Sequence, residues 1–108
     1  NGYEDVARMR ESYDRRRRLM LEGFRGMGLD CFEPLGAFYV FPSIRSTGLS
    51  SEAFCNQLLE QQKVAVVPGN AFGESGEGHV RISYAYSMAH LREAMRRMRA
   101  FLRSLKEG

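Results

Sequence analysis

The sequence holds only two cysteines, Cys31 and Cys55, with neither a C-x-x-C pair nor a histidine close by. That usage argues against a disulfide framework and fits buried, inert thiols in a reduced, cytoplasmic setting. No run of about 18 apolar residues is present, so no membrane span is expected. The opening Asn1-Gly2-Tyr3-Glu4-Asp5 has neither the basic nor the apolar region of a signal peptide. It also lacks an initiating methionine and starts inside a helical pattern, so an excised piece of a longer protein is expected. Internal repeats and low-complexity segments are absent as well. A length of 108 residues excludes two domains but allows one real core, burying about two thirds of the unfolded surface.

Net charge is a modest +3, with its positive excess at the two ends. Residues 1–28 carry seven arginines against five acids, residues 88–108 six cations against two acids, and the middle is left at −3. A central nucleic-acid surface is therefore not expected, and the three central cations, Arg45, Lys63 and Arg81, stand out. The run Arg15 to Arg18 spreads around most of a helix at 100° per residue, with Glu11, Asp14 and Glu22 in reach. It reads as a solvated helix face.

Val6, Met9, Tyr13, Met20, Phe24 and Met27 recur at helical spacing, and Gly26 and Gly28 close a helix expected over 3–25. Aromatic and β-branched residues then predict two strands over 30–33 and 37–41, joined as a hairpin. Both alternating faces of 36–41 are apolar, which asks for cover on both sides. Ser50 is the expected N-cap of a helix reaching Gln62, with Leu49 and Phe54 as its hydrophobic staple. Val64 to Val67 reads as a buried strand ended by Pro68-Gly69. The glycine-rich stretch 69–78 lacks the G-K-[ST] element, contains Glu74 and Glu77, and leads into a strand. It reads as a strand connection and not a phosphate cradle. Ser87 caps a final helix whose Leu91, Met95, Met98, Leu102 and Leu105 form an apolar stripe beside Arg92, Arg96, Arg99 and Arg103. The arginine stripe is read as solvated, with an acidic partner as the alternative. The order helix, strand, strand, helix, strand, strand, helix predicts an α/β two-layer sandwich, a small mixed sheet covered by helices on one face.

Strand 79–85 alternates cleanly: Val80, Ile82 and Tyr84 point one way, Arg81, Ser83 and Ala85 the other. With the first set toward the helices, Arg81 shares the opposite face with one side of the aromatic strand. A guanidinium on an apolar, aromatic wall resembles half of a small-molecule pocket, and its planar fork suits a carboxylate. A strand arginine in a salt bridge or reaching solvent is the plainer alternative.

Three motifs follow in order: Pro34-x-Gly36-Ala37-Phe38-Tyr39-x-Phe41, Val64-x-Val66-x-Pro68-Gly69-x-x-Phe72-Gly73, and Arg81-Ile82-Ser83-Tyr84-Ala85. Together they resemble the C-terminal small domain of fold type I, class I/II pyridoxal-phosphate-dependent aminotransferases, the aspartate aminotransferase superfamily. The resemblance implies that Arg81 binds the α-carboxylate of the amino-acid or 2-oxo-acid substrate. It implies that Gly36, Ala37 and Phe38 line the substrate pocket, and that 69–73 lies near a domain junction. It also implies that residues 1–28 form a linking helix continuing from an absent large domain, and that 29–108 are the substrate-recognition small domain. The family's chemistry needs a Schiff-base lysine, an aspartate at the pyridine nitrogen and phosphate binders. None is recognisable, since Lys63 and Lys106 are the only lysines and neither has the family's serine-rich context. The resemblance therefore implies a piece that holds no catalytic or cofactor-binding residue, binds no metal and is inactive alone. Its cofactor, pyridoxal phosphate, would belong to the parent, a cytoplasmic transaminase of amino acid metabolism and a homodimer, with no nucleic acid or membrane partner. Two alternatives stand beside it. One is a lyase, decarboxylase or transcription regulator on the same fold, and the other is a free-standing small-molecule-binding or nucleic-acid-binding module.

Overall fold

The computed structural model describes residues 2–33 and 38–107, with side chains described from residue 11 onward. Among the described residues three α-helices and four short strands follow in the order α1 (Gly2–Gly26), β1 (Cys31–Phe32), β2 (Tyr39–Pro42), α2 (Ser51–Gln62), β3 (Val67–Pro68), β4 (Val80–Ser83) and α3 (Met88–Glu107). The sheet order is β1-β2-β4-β3.

Every pairing is antiparallel, which corrects the expected mixed sheet. β2 and β3 do run in the same direction across the α2 crossover, but β4 inserts between them, so no parallel pair forms. Strand β3 is also shorter than expected: residues 64–66 leave α2 without ladder bonds, and only Val67 and Pro68 pair with β4. Pro68 has no N–H to give a ladder, which suits the edge position of β3.

All three helices pack on one face of the sheet. Met20 and Phe24 from α1, Phe54 and Leu58 from α2, and Leu91, Met95, Met98, Phe101 and Leu102 from α3 meet Val40, Val80 and Tyr84 from the strands. At the centre Phe54 and Phe101 meet edge to face, 5.2 Å between centroids. Among the described residues no helix is long and apolar enough to cross a membrane.

The helix ends follow their local chemistry. After α1, Leu29 N donates to Phe24 O at 2.9 Å and Gly28 N to Arg25 O at 3.0 Å, with Gly28 left-handed at φ 82°. This is a Schellman closure, and Leu29 and Phe24 bury against the core as it requires. Ser50 Oγ accepts from Ala53 N at 3.1 Å to cap α2, and Ser87 Oγ accepts from His90 N at 3.1 Å to cap α3. Both caps agree with the sequence reading, as do the ends of α1 to within a residue. Val6 and Met9 lie where side chains are not described.

The arginine run is partly committed. Arg15 and Arg18 are exposed, while Arg17 joins Asp14 at 3.7 Å and reaches across to Glu33 at 3.2 Å. Asp14 was among the acids within helical reach; Glu33 lies 16 positions away and only the fold delivers it.

Candidate functional site

The register defines a second face of the sheet. Phe32 pairs with Phe41, Tyr39 with Ser83, Val40 with Ile82, and Val67 with Arg81. Since side chains alternate, Phe32, Tyr39, Phe41, Val67, Arg81 and Ser83 share the face away from the helices. Val80 and Tyr84 are buried under the helices and Ile82 packs partly against the same core. Arg81 thus projects where strand alternation puts it.

This face is an aromatic platform. Phe41 meets Phe32 at 6.3 Å, Tyr39 at 5.6 Å and Phe72 at 6.3 Å between centroids. Phe72 comes from the first of two short 3-10 turns, Gly69–Phe72 and Glu74–Gly76, that make up the glycine-rich connection. The Arg81 Cζ sits 4.3 Å from the Phe72 ring centroid and 4.7 Å from that of Tyr39, within cation–π range. Among the described residues no carboxylate pairs with Arg81, and none accepts a hydrogen bond from its guanidinium. A half-buried cation held by rings and lacking an anion is equipped to take a carboxylate as a charge-assisted, bidentate pair.

The other two central cations are occupied elsewhere. Arg45 packs along Gly78 and donates to Glu77 O at 3.4 Å. Lys63 ends α2 in a left-handed conformation, φ 58°, and its Nζ donates to Glu60 O at 3.1 Å.

Gly36 and Ala37 lie outside the described residues. Phe38 is described, and its ring turns to the helix side: it stacks on Tyr13 at 4.4 Å and meets Tyr84 edge-on at 6.3 Å. The structure therefore does not bring the Phe38 ring together with Arg81. Its backbone does serve the neighbouring strand, because Phe38 O accepts from Tyr84 N at 2.9 Å and from Ser83 Oγ at 3.3 Å. Phe72 is the residue of this face that sequence reasoning missed as a site component. It stood in the second family motif as a large apolar side chain in an otherwise small and polar loop, but was not counted as part of the site.

An open cleft of about 520 Å³ runs between the first half of α3 and residues 63–67, reaching Arg81 and Ser83 at its edge. Of the cations along it, Arg97 is already bonded to Gln62 O at 3.0 Å and Glu93 at 3.0 Å, and Lys63 to Glu60 O, so neither offers an anion much.

Neither lysine is placed to hold a carbonyl cofactor at the Arg81 face. Lys63 is tied to its own helix end, and Lys106 is exposed in the last turn of α3. The described residues also gather no group of three histidines, cysteines or acids for a metal. Both thiols are pushed up to about 11, mainly by burial, with Glu33 adding to the effect at Cys31 and Glu52 at Cys55. Neither is an activated nucleophile. Among the described residues, neither lysine is free at the Arg81 face to hold pyridoxal phosphate.

Residues 1–98 match the family described as Aminotransferase class I and II. The chain is 52% identical over 105 residues to an aspartate aminotransferase of Pyrococcus abyssi, covering 97% of the chain and 27% of that protein. It is 49% identical over 105 residues to aromatic-amino-acid aminotransferase 2 of Thermococcus litoralis, again covering 97% and 27%. The crystal structure of an aromatic aminotransferase from Pyrococcus horikoshii superposes with a TM-score of 0.91 at 51% identity, over 96% of this chain and 28% of that one. The chain therefore spans about a quarter of the length of its relatives. By sequence and by fold, it belongs to the class I and II aminotransferase family.

Proposed function

We propose that this chain is the C-terminal, substrate-recognition small domain of a pyridoxal-phosphate-dependent aminotransferase. In this reading residues 1–28 link it to a large domain, residues 29–108 form the recognition unit, and Arg81 binds the carboxylate shared by amino-acid and 2-oxo-acid substrates. The observation that carries it is the Arg81 guanidinium, held against Tyr39 and Phe72 on a sheet face without helices and bonded to no acid among the described residues. The family resemblance assigns Gly36, Ala37 and Phe38, which precede β2 in the sequence, to the lining of the substrate pocket.

Division of labour follows from the residues present. The cofactor, when bound, supplies the electron sink for amino transfer. No group among the described residues is placed to hold it, and in this reading its lysine, its acid and its phosphate binders belong to the rest of the protein. Arg81 anchors the substrate at one end, and the platform of Tyr39, Phe41 and Phe72 excludes water around it, which fixes orientation for a reaction performed opposite. The relatives carry different substrate names, aspartate and aromatic amino acids among them, while sharing this quarter of their length. That supports a domain reading the common carboxylate, with side-chain choice made elsewhere. A cytoplasmic, homodimeric parent is part of the same proposal.

The test is Arg81→Lys and Arg81→Ala in the full-length, cofactor-loaded protein. Both lower kcat/KM for amino acids, Ala more than Lys, by about 30-fold to several thousand-fold, as expected when one member of a buried charge pair is removed. An amine lacking the carboxylate is affected far less. Equal losses for both substrates would make Arg81 structural and end this reading.

A further inference from the structure

We infer that Phe72 is a positioning residue: with Tyr39 it holds the Arg81 guanidinium between two aromatic rings and so sets the plane of the fork presented to a carboxylate. The inference rests on the reading of Arg81 given above.

The two rings lie 4.3 and 4.7 Å from the guanidinium carbon and come from different elements. Tyr39 is fixed in β2, opposite Ser83. Phe72 belongs to no strand and is 52% exposed, so the core does not require it. Its ring contacts are Arg81 and the edge of Phe41. A guanidinium lying over a ring uses its π face, while its N–H donors point outward in its own plane. Clamping by rings therefore restricts the orientation of a long, rotamer-rich side chain without consuming a donor. An acid in the same place would have competed with the substrate for the same charge.

The connection that carries Phe72 is built to hold it there. Gly69 N donates to His79 O at 2.8 Å, and a Cβ on Gly69 or on Gly76 would overlap the backbone of the other. At the far end Ser51 N donates to Glu77 Oε1 at 2.9 Å and Gly78 N donates to Ser51 Oγ at 2.8 Å. Ser51 is fully buried at the start of α2. The loop is thus fastened to the helical layer and reaches over the sheet edge to place one ring on the opposite face.

The experiment uses the full-length, cofactor-loaded protein with Phe72→Leu, which keeps apolar bulk and removes the ring, and Phe72→Tyr, which keeps it. Phe72→Leu raises KM for the α-amino acid about 5- to 30-fold with kcat within about threefold, the span expected for loss of one partly desolvated cation–π contact. The same variant affects the amine lacking a carboxylate far less, and Phe72→Tyr restores KM to within about twofold. Phe72→Met, a second non-aromatic filler, repeats the KM shift, so the result does not depend on one variant folding. An unchanged KM, or equal effects on the amino acid and the amine, overturns the positioning role. Arg81→Lys separates the two levels. If it abolishes discrimination between amino acid and amine while Phe72→Leu does not weaken it, only the clamp fails; if it leaves discrimination intact, the carboxylate reading fails with it.

Discussion

Adding one methyl group to Gly26, Gly23 or Gly69 is the same chemical change with three different outcomes. At Gly26 an added Cβ meets nothing within 4 Å, and the residue ends α1. Alanine there gains helix propensity, about 0.5 kcal/mol at a fraying end against the full ~1 kcal/mol of a helix interior. At Gly23 the Cβ overlaps the terminal methyl of Met95, the far end of a flexible side chain. The gain of ~1 kcal/mol in propensity is set against ~1–3 kcal/mol of overpacking, reduced because methionine adapts, so the net change stays within about 1 kcal/mol. At Gly69 the Cβ overlaps Gly76 O and lies 2.7 Å from His79 O, and neither backbone atom can swing aside. Overpacking and the loss of the Gly69 N to His79 O bond together cost ~2–4 kcal/mol. For a domain of this size, ~2–4 kcal/mol lowers Tm by roughly 10 °C or more. Urea unfolding of the three variants, followed by circular dichroism, gives the order directly. A Gly69→Ala variant within about 0.5 kcal/mol of the parent would show that the loop is not held by the contact described.

Ser50→Ala removes the acceptor for Ala53 N and lowers stability by about 1 kcal/mol, read as a small drop in the urea midpoint. The double replacement of Phe54 and Phe101 by Leu shows a coupling of ~0.5–1.5 kcal/mol beyond the sum of the single changes, measured as a double-mutant cycle. Cys31 and Cys55, both at about 11, alkylate at pH 8 roughly 100-fold more slowly than a free cysteine, and at the free rate once the chain is unfolded in urea. Glu93 is pulled down from 4.5 to about 2 by its hydrogen bonds with Arg96 and Arg97. What that group adds to stability is therefore complete above pH 4.5 and lost as pH falls toward 2, and Glu93→Gln flattens this part of the acid titration.

Local chemistry made much of the fold legible. Ser50, Ser87 and Gly28 act within a few residues of themselves, so their roles as helix ends could be read from spacing alone. The stripe Leu91, Met95, Met98, Leu102 packs as its periodicity required, because a helix in contact with a sheet has one face to bury. Phe101 escaped that stripe although it is fully buried, since it faces α2 and not the sheet-side neighbours that the spacing tracks. Arg81 was legible for the same kind of reason: a period of two fixes its face once Val80 and Tyr84 are assigned to the core.

The sequence by itself determined the three helices, their caps, the face of Arg81 and the family motifs, because each depends on near neighbours along the chain or on a short period. Tertiary structure alone decided the partners that come from far away. It placed β4 between β2 and β3, turning an expected mixed sheet into an antiparallel one. It brought Glu33 to Arg17, Glu77 to the start of α2, and Phe72 over Arg81. Those contacts are set by strand order and loop closure, which balance the whole core against chain entropy, and no local pattern encodes that balance.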